Sequence, residues 1–542
     1  MKKNASSYNL TSRSSLDGLS KEELVDAVLL LGAKVQQLSD TVRDLISSKY
    51  GRKTERFDSP DQLNLFPKPG DHTDANKPEN KESKVKKPQE GHGRNPYPSG
   101  MVRKRTFAKL SADQANCNCC GVALEATRVV HQGSRLQYTP AVFEIEDMTA
   151  VAFCCPQCKQ NEVIARVTEP VENGIAAPSL LAQVAVAKGQ DHMPFNRQSA
   201  IYARSGINLH RSTLADMFAQ TASILRPLYD LMYSELLKSK VIWTDDTPVK
   251  VKDNTKDKNI KTGRLWIYMG DDEHPFSLFD YTTGRGRDGP LTFLAEFDGF
   301  LQGDCFSGNL AVCAANGTIL VACLAHARRY FIKALLNDKD GCERALTMFQ
   351  CLFEIERTAR DLHLEAPAVK KMREEESMPI LTEFHSWLKE QYKFAQPKST
   401  FGKALFYCLN NWTELNQYVL DGSLSIDNNC SEREMKYIAM GRKAWLFLGS
   451  DRGGKNHAIV LSLLATCRRH GIEPWAYLTD VIERLSEKGK KNLEDLLPHR
   501  WKPRMKDSAA IEIPPVLLTP KVQNLSALSQ KDDQRTVLRN AI

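Results

Sequence analysis

The chain has 542 residues, 42% of them hydrophobic and 26% charged, and a formal net charge of +8. The length exceeds one hydrophobic core and implies about two to four domains, with the composition of a soluble globular protein. No apolar run approaches the ~20 residues of a membrane-spanning helix, and the opening MKKNASSYNL lacks the apolar stretch of a secretory signal, so a cytoplasmic protein without membrane partners is expected.

The first predicted element, in an N-terminal region 1–57, is a helix from about Ser20 to Ile46. Ser20 and Glu23 have capping-box spacing. Leu24, Val28, Leu31, Val35, Leu38, Val42 and Leu45 then alternate steps of four and three. That seam favours a parallel two-stranded coiled coil, and hence a homodimer or higher oligomer through this zipper. Residues 58–110, rich in Pro, Lys, Asn and Gly, read as a basic flexible linker. Positions 49 to 110 carry 15 Lys and Arg against 8 Asp and Glu, nearly the whole positive excess. Such an arm suits a polyanion once the rest of the chain handles nucleic acid.

Region 111–170 holds two CxxC pairs, Cys117/Cys120 and Cys155/Cys158. Four thiolates at this spacing can close a tetrahedral Zn²⁺ site and fold a module too small to fold alone. Cys313, Cys323, Cys351, Cys408 and Cys467 fall in apolar segments and are expected to be reduced and buried. In region 171–240, helices at about 194–204 and 211–225 flank a turn at Gly206, an arrangement similar to a DNA-binding helix-turn-helix opening on Arg211-Ser212-Thr213.

From 241 to 450 short strands are predicted at 241–245, 264–269, 276–281, 300–304 and 319–323, with helices near 289–297 and 324–336. Three strands, then alternating helices and strands, is the order of a ribonuclease-H-like α/β domain. A helical insertion at about 340–425 and a helix at 430–440 follow, and 451–542 is a helical C-terminal region and tail. Asp245 is expected to end the first strand and Asp304 the fourth. In that fold the two strands are neighbours, so the carboxylates would meet at one sheet edge. Hard oxygen ligands of this kind hold Mg²⁺ or Mn²⁺ for phosphodiester chemistry. A third acid is expected from the helix opened by Asp427-Asn428-Asn429, and periodicity leaves Glu432 and Glu434 both open. His326, Arg328 and Arg329 would lie near the metal edge as phosphate contacts or catalytic support. Arg433, Lys436, Arg442 and Lys443 form a basic strip around the third acid.

Taken together, Asp245-Asp246-Thr247-Pro248, Gly303-Asp304, Cys323-Leu324-Ala325-His326-Ala327-Arg328-Arg329, Asp427 through Arg433, and Gly441 through Phe447 resemble bacterial transposases of the insertion sequence 66 family. The zipper ending in Gly51-Arg52-Lys53 and the closing Gly471-Ile472-Glu473-Pro474 extend the resemblance over nearly the whole chain. It implies a metal-dependent nuclease and strand transferase with its acidic (DDE) triad on Asp245, Asp304 and Glu432, and a zinc-finger-like segment at the cysteine pairs. Its partners would be DNA, as element ends and target, with helper proteins of the same element, in the bacterial cytoplasm at the nucleoid. Where the family usually has Glu after its first Asp, this chain has Asp246. The alternatives are a DNA-binding regulator with a degenerate catalytic domain and a nuclease that cuts without joining.

Overall fold

The structure is a computed structural model. It describes residues 174–253, 260–487 and 491–504 continuously, with 143–146, 151–154, 162–165, 169–172 and a set of positions between 20 and 42. The linker and the expected zinc ligands Cys117, Cys120, Cys155 and Cys158 lie outside the described residues. The described positions from 21 to 42 are helical (α1), and the seam residues Val28, Val35, Leu38 and Val42 stand 53–65% exposed. Strands β1 (Val151–Cys154) and β2 (Glu162–Ala165) form an antiparallel hairpin.

Three helices precede the main sheet: α2 (Pro178–Gly189), α3 (Phe195–Arg204) and α4 (Arg211–Leu236). Gly206 makes the α3–α4 turn with φ of 82°, a left-handed conformation that glycine adopts without penalty. The second helix of the pair is longer than expected. Leu225, Leu228, Met232 and Leu236 continue its buried stripe past 225, so packing carries it on through Pro227.

The mixed sheet follows, in β3 (Val241–Lys252), β4 (Ile260–Met269), β5 (Ser277–Thr282), β6 (Phe300–Gly303) and β7 (Ile319–Ala322), with spatial order β5-β4-β3-β6-β7. β3, β4 and β5 pair antiparallel, whereas β6 lies parallel to β3 and β7 parallel to β6. Short helices α5 (Asp288–Phe293) and α6 (Ser307–Asn316) make the connections on either side of β6.

One expectation is corrected here. Asp245 does not end the first strand, because β3 continues seven residues further, to Lys252, and pairs with β4 throughout. Pro248 reads as a strand breaker, yet β6 pairs only with Val241–Trp243 and Leu448 bonds that edge only at Lys250 and Lys252, so no strand pairs with it at Pro248. The Pro248 carbonyl accepts a bond from Arg442, so its missing N–H also faces away from β4 and costs the ladder nothing.

Helices cover both faces. Above β7, α7 (Leu324–Ala334) begins a core built with α8 (Lys339–Asp361), α10 (Met378–Phe394), α11 (Thr400–Asn410) and α12 (Trp412–Asn416) around Phe331, Phe349, Phe384 and Phe401, while α9 (Ala366–Met372) buries no residue. On the other face, α13 (Asn429–Trp445) and α14 (Asp451–Arg469) bury Met435, Ile438, Trp445 and Leu461 against Val249, Leu265, Ile267 and Phe279. The hydroxyls of Ser462 and Thr466 accept the N–H groups of Phe279 and Ser277, so α14 seals β5, the sheet's edge strand. α15 (Pro474–Ser486) packs beside α2. The sequence boundary at 450 therefore falls between two helices that share one core. Cys323, Cys408 and Cys467 are buried as expected, but Cys351 is exposed and Cys313 half-buried. Among the described residues no helix is long and apolar enough to cross a membrane.

Arg373 fixes the end of the helical insertion. It opens a π-helical turn, Arg373–Ser377, and is 2% exposed. All five of its donors are used: two on the Glu356 carboxylate (both 2.7 Å) and three on the carbonyls of Tyr418, Asp421 and Leu424. Arg373→Met would strand the Glu356 charge and three carbonyls. The expected loss is about 3–5 kcal/mol of stability, read from urea unfolding.

Candidate active site

Asp245 lies on β3 opposite Ile267, and Asp304 follows directly on the end of β6, the parallel neighbour of β3. Gly303 makes that approach close, since a side chain there would stand 3.2 Å from both the Thr244 carbonyl and the Asn309 amide. Glu432 lies in the first turn of α13. The three acids share one field. Burial first, then the charges of Asp304, Glu432 and Asp246, push the Asp245 carboxyl up from 3.8 to about 7, against one bond from the Asp246 N–H at 2.8 Å. Burial also raises Asp304, opposed by His326 and Arg285.

The two pairs that sequence left open differ in their surroundings. Asp246 is engaged on both oxygens, by Arg264 at 2.6 Å and Arg285 at 2.9 Å, whereas no cation is paired with Asp245 among the described residues. Glu434 turns away from the acids to bond Arg468 of α14, whose guanidinium stacks 3.8 Å over Tyr437. Glu432 faces α7, where Arg329 grips it with two bonds of 3.0 and 2.7 Å.

Around Glu432, His326 places Nδ1 3.8 Å from Oε1, and its Nε2 lies 3.2 Å from Arg329. Ligand atoms of Cys323, His326 and Glu432 fall within 4.8 Å of one another, with the Arg329 guanidinium already bound to two of the three residues. Arg328 is half-buried on the same turn of α7. Arg433, Lys436 and Lys443 are exposed along α13. Arg442 spends one guanidinium nitrogen on Thr247 Oγ1 (2.8 Å) and the Pro248 carbonyl (2.9 Å), which ties α13 to β3.

Three residues here carry weight that the sequence reading did not give them. Asn428, 1% exposed, donates its amide to the Thr244 carbonyl (2.7 Å), one residue before Asp245, and its backbone N–H to Cys323 Sγ (3.2 Å). Gln302, fully buried on β6, exchanges bonds with Ser425 and donates to the Asp427 carbonyl (3.1 Å). The signal was a polar side chain inside the apolar strand FLQG, since a buried amide has to be hydrogen-bonded. Arg285, stacked 4.2 Å over Phe306, bridges Asp246 and Asp304, reaching the latter at 3.7 Å. Its loop position hid it.

An acid whose pKa rises on folding destabilises the fold once it ionises. The penalty is absent below pH 3.8, grows as pH rises towards about 7, and is complete above. Asp245→Asn is therefore expected to raise stability at pH 8 without divalent cation by about 1–3 kcal/mol, with the gain gone at pH 3.5. Thermal unfolding at the two pH values checks this.

The model of the Transposase IS66 family matches residues 173–456, and that of the IS66 C-terminal element matches 462–499. Three uncharacterized proteins of Sinorhizobium fredii are similar along most of the chain. y4hP is 30% identical over 435 residues, spanning 76% of this chain and 77% of its own. y4jD is 28% identical over 410 residues, 72% of this chain and 79% of its own. y4qI is 31% identical over 350 residues, 61% and 64% respectively.

Proposed function

Because this chain belongs to the IS66 transposase family, we propose that it cuts DNA at the ends of a mobile element and joins the freed 3′-hydroxyl to target DNA. The catalytic groups in this reading are Asp245, Asp304 and Glu432 on a ribonuclease-H-like sheet. What supports it most is the Asp245 carboxyl, with no cation paired to it among the described residues and pushed up to about 7 by burial and by the charges of Asp304, Glu432 and Asp246. A site of that charge is suited to a cation, and its oxygen donors favour hard Mg²⁺ or Mn²⁺. Held by Asp245, Asp304 and Glu432, two such ions would supply activation of the attacking oxygen and stabilisation of the leaving one. The sheet order, with β6 parallel beside β3, supports the fold assignment.

The chain's own residues set the remaining conditions. Asp245 is the better first ligand because Arg264 and Arg285 already neutralise Asp246. Asp304 is oriented by the Phe306 N–H and the Asn309 amide, both at 3.3 Å from Oδ1. Glu432 serves as third ligand only when Arg329 releases it, and a DNA phosphate is the natural exchange partner for a guanidinium. Arg433, Lys436 and Lys443 would hold phosphates along α13, and Arg328 near α7. The exposed seam of α1 supports pairing of two subunits, and the α3–α4 pair would contribute to holding element ends.

Asp304→Asn is expected to reduce Mg²⁺-dependent cleavage and joining to background while duplex binding, followed by gel shift, persists. Full activity in that variant would sink the assignment. The four cysteines Cys117, Cys120, Cys155 and Cys158 are proposed to hold one Zn²⁺. Elemental analysis should find about one zinc per chain, released in the Cys155→Ser/Cys158→Ser variant; freshly purified protein without zinc rejects this reading.

A further inference from the structure

α13 ends in a conformation that its sequence has no local reason to adopt. Leu446 takes φ 64° and ψ −47°, and the Phe447 N–H donates to the Trp445 carbonyl at 2.7 Å. That is a γ-turn of the rare, strained hand, centred on a leucine rather than a glycine. Its surroundings force it. Trp445 is buried against Val249, Leu265 and Ile438, while Leu448, also buried, is pinned to β3 by exchanging backbone bonds with Lys250 and Lys252, each 2.8 Å. Between these two anchors the chain has only two residues to reverse direction. The strain therefore places Leu446 (63% exposed) and Phe447 (44%) outward on a rigid base.

Large apolar side chains held in solvent by a strained backbone suit an apolar partner, and the local charge identifies which. Lys443, Lys250, Lys252 and Arg452 are exposed on the segments that carry the turn, whereas the acid Asp451 is engaged by Lys261 and Tyr281. Exposed cations on the segments that carry an apolar tip fit phosphates flanking a base stack. We propose that Leu446 and Phe447 form a wedge that enters between base pairs of the bound duplex, unstacking one step and kinking the DNA. This rests on the reading of DNA as the partner. The position is set by α13: Leu446 is 14 residues beyond Glu432, about 21 Å at 1.5 Å per residue. That is about the length of six base pairs at 3.4 Å each. The wedge therefore acts on DNA flanking the cleaved phosphate, and its bend would deliver that phosphate to the acids.

The test uses the full chain with duplexes spanning the DNA that borders its coding region. 2-Aminopurine, whose fluorescence rises on unstacking, is placed at successive steps. One maximum is expected about six base pairs from the cut. Phe447→Ala should abolish it and weaken binding about tenfold, with the salt dependence of binding unchanged. Leu446→Gly separates function from structure, because it relaxes the turn: its melting temperature should rise while the unstacking signal falls. A signal unchanged in both variants, or absent from the wild-type complex, overturns the wedge. So does a change of oligomeric state by sedimentation with DNA unstacking intact, since the face would then bind protein. If unstacking is found but no cleavage under any metal, the wedge stands and the catalytic reading alone fails.

Discussion

Everything at the site depends on bringing carboxylates together that repel one another. Asp245, Asp304 and Glu432 come from two strands and a helix, and folding places them in a common, half-dry field. Nothing in their own chemistry favours that arrangement without a cation. It is imposed by neutral groups next to them. The Asn428 amide binds the strand residue before Asp245, its N–H meets Cys323 at the start of α7, and Gln302 holds the segment leading into α13. Buried amides with good partners fix geometry without adding charge, which is why amides rather than lysines occupy these positions.

The helical insertion acts at a distance on the same problem. Between the end of β7 and α13, which carries Glu432, the chain travels through six helices, α7 to α12. Arg373 clamps the returning segment by three carbonyls, and within a few residues Gln302 and the Leu324 N–H take it over at Ser425 and Ile426. The insertion's aromatic core thereby supplies a rigid abutment for α13, and the third acid inherits its position from packing far from it.

Arginines balance the acids in two different ways. Arg264, half-buried, belongs to the fold and neutralises Asp246. Arg285 and Arg329 instead reach Asp304 and Glu432 themselves, Arg285 from a more exposed position and Arg329 as buried as Arg264. Such a cluster is less stable than one filled with apolar groups.

The sequence alone marked where the strands lie, the first and fourth as neighbours, and a short list of acids, because apolar periodicity and chain order are local or topological properties. It also marked the α3–α4 pair, through Gly206. Tertiary structure decided what depends on partners distant in the chain. It carried β3 through Pro248, because no strand pairs with that edge there and the missing N–H is harmless, and α4 past 225, because other helices bury its stripe. It distinguished the surroundings of Asp245 from those of Asp246, and of Glu432 from those of Glu434, since each member's environment is set by arginines 18 to 103 positions away. Leu446 is the clearest case: Trp445, buried in the core, and Leu448, bonded to a strand nearly two hundred residues earlier, force a turn that its own side chain disfavours.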